Sequence, residues 1–327
     1  MKRPYKNINI NDIVSGPDLV KLQSLSKIIK NNECIAFVGA GLSKAENYKD
    51  WEESIKGKNG LIEYVFSGGN NYLLDPTKKI IDIIEDCKKH NINKYREFIL
   101  NEYGRGLSPL VFHPNHQQIW KIPFYCVLTT NFDPCLYDSG RYSKSINIFS
   151  YPYLPSPPLK NSLYHIHGLA FEIDDDIDPI NTIIFSKSEY DNAYKVRRND
   201  LTDLLHYSMT KYTMLFVGFS MSDPFILDLF KDIYKNIKSR IEEFKIKLNM
   251  EVKIPHHFIL FPEGEPNEEL LKDLTALKIS VINYKPIDAK YVGLDHILLY
   301  LVQGVQESFI PTPSIKDSSE LGAIDEN

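Results

Sequence analysis

The sequence predicts an α/β protein: a doubly wound, Rossmann-like parallel sheet with a mainly helical insertion. Two observations lead there. Short unbroken apolar runs, such as Cys34-Ile35-Ala36-Phe37-Val38, 214–219 and 257–261, have the length of strands buried on both faces. These runs alternate with stretches of helical periodicity, and several end in small polar turns, as parallel strands joined by crossover helices do.

Taken in order, residues 18–31 repeat apolar positions at helical spacing, with Asp18 as N-cap and Asn31-Asn32 as stop. The strand 34–38 breaks off in Gly39-Ala40-Gly41-Leu42-Ser43. From about 52 to 118 the texture changes: 80–87 and 95–103 have helical periodicity, with spacers such as Gly68-Gly69-Asn70-Asn71 between the pieces. His113-Pro114-Asn115-His116 opens a returning helix, where His116 is expected to make a structural hydrogen bond. Strand texture resumes at 124–131. Further strands are expected at 145–149, 162–166, 182–185, 214–217, 256–261 and 280–283, with helices at 133–138, 188–211, 224–248 and 267–277. The block 151–158, with prolines at 152, 155, 157 and 158, is an extended loop. Asp174-Asp175-Asp176-Ile177-Asp178 reads as a solvated turn, and the Ser/Asp/Glu-rich residues 311–327 as a flexible tail. The expected organisation is one domain over 1–310, with the helical insertion 52–118 inside it.

Composition narrows the function. The chain has 327 residues and a net charge of -5, so broad electrostatic attraction to nucleic acid or anionic membranes is not indicated. No apolar run approaches the roughly 20 residues that span a bilayer, and no apolar segment follows Met1-Lys2-Arg3-Pro4-Tyr5. A cytoplasmic protein with no membrane partner is expected. The four cysteines, Cys34, Cys87, Cys126 and Cys135, form no Cys-x-x-Cys pair, which points to buried, reduced thiols and no zinc site.

Four segments at strand ends carry the chemistry, because open α/β sheets bind ligands there. In Gly39-Ala40-Gly41-Leu42-Ser43 two glycines allow close approach of backbone to an anion, although a plain tight turn has the same composition. In Thr129-Thr130-Asn131-Phe132-Asp133-Pro134, Asp133 suits a helix N-cap before Pro134, while the Asn131 carboxamide can both donate and accept. In Tyr164-His165-Ile166-His167-Gly168, alternation puts both histidines on one side, and His167, at the strand end, is the one expected to face a pocket. Gly218-Phe219-Ser220-Met221-Ser222-Asp223-Pro224 repeats the pattern of strand, small turn and capped helix.

Together, in this order, the four segments resemble the sirtuin superfamily, and within it the prokaryotic sirtuin-like branch of NAD-cleaving antiphage effectors, as in Thoeris systems. The resemblance runs from about 33 to 301 and is faint in the helical insertion. It implies that Gly39, Ala40, Gly41 and Ser43 hold the NAD diphosphate. It also implies that Asn131, beside Thr130, positions water or ribose and that Asp133 lies near the nicotinamide carboxamide. His167 would be the catalytic base, Gly218 and Ser220 would touch phosphate and adenosine ribose, and Asn283, after Ile282, would contact that ribose. The deacylases of the superfamily carry a four-cysteine zinc module and a Gly-x-Pro-Asp-Phe-Arg segment. Here the cysteines are not so spaced, and the chain reads Lys44-Ala45-Glu46-Asn47-Tyr48-Lys49-Asp50-Trp51. The resemblance therefore implies hydrolysis of NAD to ADP-ribose and nicotinamide without a metal. A non-catalytic NAD or ADP-ribose sensor and an NAD-dependent deacylase or ADP-ribosyltransferase remain alternatives. Such an activity needs gating, by homo-oligomerisation or by a separately encoded activating or sensor protein.

Overall fold

The structure is a computed structural model that describes residues 9–46, 48–49, 51–66, 75, 77–104, 112–170, 182–195, 199–221, 223–248, 254–287 and 292–306. The expected turn at 174–178, the Gly68–Asn71 spacer and the tail 311–327 lie outside these residues.

Seven strands form one sheet: β1 (Cys34–Val38), β2 (Val127–Thr129), β3 (Asn147–Ser150), β4 (Ser162–His165), β5 (Thr213–Val217), β6 (His257–Pro262) and β7 (Ile279–Tyr284). The order is β3-β4-β2-β1-β5-β6-β7, and every pairing is parallel. Chain direction across the sheet reverses beside β1, so the crevice of a doubly wound sheet opens where β1, β2 and β5 end.

Side-chain alternation divides the core into two layers. Ala36, Val38, Val127, Leu215 and Ile282 pack on one face with the helices Gly16–Lys30, Pro114–Lys121 and Val292–Gln306. Ile35, Phe37, Leu128, Phe216 and Ile259 pack on the other with the helices Asp200–Lys211, Pro224–Leu248 and Glu268–Ala276. Phe37 meets Phe216, Phe219 and Phe230 at centroid distances of 5.3, 4.9 and 6.2 Å. Truncating such a ring costs about 3–5 kcal/mol. A third cluster, built on Ile55, Leu61, Ile84, Tyr95 and Phe98, joins the helices Trp51–Lys56, Leu61–Phe66, Ile80–His90 and Ile92–Tyr103. Phe132 and Phe185 belong to it, so these helices sit against the C-terminal edge of the sheet.

Several expectations change in detail. Asp18 does not cap its helix: Ser15 takes the N-cap, with Pro17 in the first turn. Asp18 instead accepts from Lys21 Nζ and from the backbone N–H of Asn283, tying the helix to β7. The stop at Asn31-Asn32 forms, with Asn32 at φ 57°. Residues 182–185 are not a strand; β3 already occupies the sheet edge beside β4, and Ile184 N–H bonds to the carbonyl of His167. The stretch 188–211 splits into helices Lys187–Tyr194 and Asp200–Lys211, because Asn199 starts the second with a capping box to Thr202. The helix expected at 133–138 begins at Cys135, with Pro134 at the cap position, and runs to Ser143.

Candidate active site

The floor of the site is two glycine turns locked together. Gly39 N–H donates to the carbonyl of Val217, and Gly41 N–H to that of Gly218, at 2.9 and 2.8 Å. A Cβ on Gly39 would lie 2.6 Å from Gly218 O; one on Gly218, where φ is +61°, would lie 2.6 Å from Leu42 N. The approach leaves no room for a side chain, and the left-handed dihedral of Gly218 favours glycine. Since both glycine N–H groups are bonded inside the fold, their role is close passage of the backbone rather than donation to an anion.

Above the floor, Asn131 is buried at the end of β2, its backbone N–H held by Thr129 Oγ1 at 3.0 Å. Its Nδ2 lies 3.2 Å from the carbonyl of Gly39 and 3.1 Å from Ser43 Oγ. A carbonyl can only accept, so the amide orientation is fixed and Oδ1 is left as a buried acceptor with no partner among the described residues. Ser43 in turn meets His116 Nε2 at 3.4 Å. His116 Nδ1 accepts from the backbone N–H of His113, and burial, with the His113 charge, lowers its pKa to about 3. The neutral ring thus carries its proton on Nε2 and donates to Ser43, the structural hydrogen bond expected of it. Burial raises the Asp133 carboxyl, opposed by hydrogen bonds from Cys135 and Ser43. The N-cap position expected for Asp133 is taken by Pro134, one residue on, and Asp133 Oδ1 accepts the N–H of Cys135 at 3.0 Å from just before it.

His167 follows β4 and is buried, which lowers its pKa to about 3. Its Nε2 lies 2.6 Å from the hydroxyl of Tyr194, and its Nδ1 3.5 Å from that of Tyr190, which also bonds Asp223 Oδ2 at 2.8 Å. His165 is a packed neighbour: its Nδ1 meets the carbonyl of Asn131 at 3.0 Å.

One cleft of about 770 Å³, within the range of small-molecule sites, joins these groups. Ala40, Gly41, Ser43, Thr130, Asn131, Asp133, His167, Gly218 and Ser220 all line it, whereas Gly39 does not and packs against Gly218 and Phe219. Its far end is Leu260, Phe261 and Tyr284, and its helical wall carries Trp51, Ile80 and Tyr103. Asn283 is not brought in: its Nδ2, like its N–H, is committed to Asp18 Oδ2. Sequence reasoning missed Tyr190 and Tyr194, although their i,i+4 spacing puts two phenols on one helix face. It read Asp223 only as a cap. Among the described residues no group of three or more His, Cys, Asp or Glu could hold a metal, and the four cysteines are buried free thiols. No helix among them is long and apolar enough to cross a membrane.

Fold and site define a doubly wound α/β protein with an elongated cleft along the C-terminal edge of its sheet, floored by interlocked glycine turns. Residues 125–282 match the family model of the SIR2-like domain. It is 25% identical over 228 residues to the NAD(+) hydrolase ThsA of Enterococcus faecium, covering 65% of this chain and 42% of that protein. To the NAD(+) hydrolase ThsA of Bacillus cereus (strain MSX-D12) it is 23% identical over 231 residues, covering 67% and 44%. The chain thus spans less than half the length of these relatives. A solved Sir2 homologue in complex with NAD superposes with a TM-score of 0.47 at 12% identity, over 86% of this chain and 94% of that one.

Proposed function

We propose that the chain hydrolyses the bond between nicotinamide and ribose in NAD, giving ADP-ribose and nicotinamide. The observation that carries this is the meeting of Asn131, whose buried Oδ1 has no partner among the described residues, and His167 in one cleft whose floor is the glycine turns. The NAD(+) hydrolase relatives support the same reading. In the reaction the C1′–N bond breaks, its electron pair neutralises the pyridinium nitrogen, and water forms the new C1′–O bond. Nicotinamide leaves as a neutral base, so no general acid is required. Asn131 Oδ1 accepts a hydrogen bond from the incoming water or a ribose hydroxyl, and His167, neutral through burial, takes the displaced proton.

Along the cleft, the reactive ribose belongs beside β2 and β4, the diphosphate over Gly39, Ala40, Gly41, Ser43 and Gly218, and the adenosine toward Ser220, Leu260 and Tyr284. Asp133 would face the nicotinamide carboxamide. The proposed organisation is one sirtuin-like unit over 1–310, with 52–118 as a helical insertion within it. We further propose, from the resemblance of its motifs to the antiphage branch, that the protein is a cytoplasmic effector held in check by assembly or by a separately encoded partner. The test is incubation with NAD and chromatography of the products. Free nicotinamide and ADP-ribose in equal amounts are expected, while intact NAD, with and without proteins encoded beside it, would overturn the proposal.

A further inference from the structure

The protons around His167 can be counted. Asp223 Oδ1 accepts the N–H groups of Phe225 and Ile226 at 3.0 and 3.2 Å, at the start of the helix Pro224–Leu248. A helix N-terminus favours the carboxylate form. Its other oxygen, Oδ2, accepts the hydroxyl of Tyr190. A phenol has one proton. With that proton directed at Asp223, the Tyr190 oxygen can only accept from the ring nitrogen facing it, Nδ1 of His167. The buried, neutral imidazole carries a single proton, so Nδ1–H leaves Nε2 as a bare lone pair, and the Tyr194 hydroxyl donates to it at 2.6 Å. The frame is held by rings: Tyr190 stacks on Phe225 and Tyr194 at 4.6 and 5.7 Å and meets Trp51 edge-on at 6.5 Å.

We infer that Asp223 and Tyr190 are positioning residues that hold His167 in the Nδ1–H tautomer, making Nε2 the basic atom. For Nε2 to act, a substrate hydroxyl has to displace the Tyr194 hydroxyl that now donates to it. When Nε2 receives a proton, the Nδ1–H of the imidazolium faces an oxygen polarised by donation to Asp223. That supplies the opposing dipole which a site walled by Phe132, Tyr190 and Tyr194 otherwise lacks. The kinetic consequence rests on the proposed reaction; the tautomer is a property of the free protein.

The test uses protein labelled with 15N-histidine, in which two-bond proton–nitrogen correlations report ring tautomers and His167→Gln assigns the His167 signals. Wild type is expected to show a protonated Nδ1 and an unprotonated Nε2. Tyr190→Phe keeps the ring and its stacking and removes only the oxygen. It is expected to shift His167 toward the Nε2–H form and to lower kcat about 10–100-fold, with KM for NAD within about threefold of wild type, a loss near the lower end of general-base effects. An Nε2–H ring in wild type overturns the inference even if the variant fails to fold. A Tyr190→Phe protein with unchanged tautomer, or with a changed tautomer and unchanged kcat, overturns it too. If wild type shows Nδ1–H but never releases nicotinamide, the reading of the reaction falls and the tautomer assignment stands.

Discussion

The amide nitrogen of Asn131 lies 3.2 Å from the carbonyl oxygen of Gly39, so the end of β2 is tied to the turn that follows β1. That contact admits a donor and rejects an acceptor. Asn131→Ala is expected to lower nicotinamide release more than 100-fold while the protein stays folded. Asn131→Asp sets a carboxylate oxygen against the Gly39 carbonyl and is expected to cost stability as well, about 1–3 kcal/mol in denaturant unfolding. An Asn131→Asp protein as active and as stable as wild type would contradict this orientation.

For His167→Ala the expected loss of turnover is roughly 10²–10⁴-fold, the usual worth of a positioned base. Circular dichroism should stay native. Full turnover in this variant would remove His167 from the reaction.

Gly218→Ala is expected to destabilise the fold by roughly 1–3 kcal/mol, because the new Cβ meets Leu42 N and the dihedral is left-handed. What binding remains should be weaker, since the displaced turn belongs to the floor of the cleft. Denaturant titration and KM for NAD check the two effects separately.

Acid should unfold the protein early. Burial lowers the pKa of His116, His167 and His257 to about 3 and that of His165 to about 4, against about 6.5 in the unfolded chain. Below pH 6.5 the unfolded chain binds protons that the folded one refuses, so stability is full above 6.5 and falls as the pH drops toward 3–4. Each such histidine contributes about 1.4 kcal/mol per pH unit in that window. Asp133 and Asp223, both raised by burial, offset part of the slope because their folded forms take up protons first. Thermal midpoints between pH 5 and 8 measure the sum. His257→Gln, whose side chain lies on β6 away from the cleft, should flatten the curve by about one proton; no change in slope would show that His257 is not held neutral.

The centre of the sheet was legible because β1, β5 and most of β6 are apolar runs, and the ends of β1, β2 and β5 are marked by a glycine or an Asn-x-Asp turn. The false strand at 182–185 has the same β-branched texture. Periodicity cannot tell a segment that pairs in a sheet from one, like Ile183-Ile184-Phe185, that is buried beside it. Asn131, His167 and the glycine turns could be named from their places after strands. Tyr190 and Asp223 could not be joined to His167, since their contacts arise from tertiary packing across 23 and 33 positions of chain. Asn283 was named from a two-residue match, and what decided its partner was Asp18, which sequence reading had placed at a helix cap.

The paired turns after β1 and β5 also bear on how a dinucleotide gets in. Each holds the other through backbone bonds and leaves no room for a methyl group, so neither can swing away without unzipping the strands beneath. The base of the cleft is therefore the fixed jaw. Any movement that admits a dinucleotide falls on the other walls, among them the helices that bring Trp51, Ile80 and Tyr103 to the cleft.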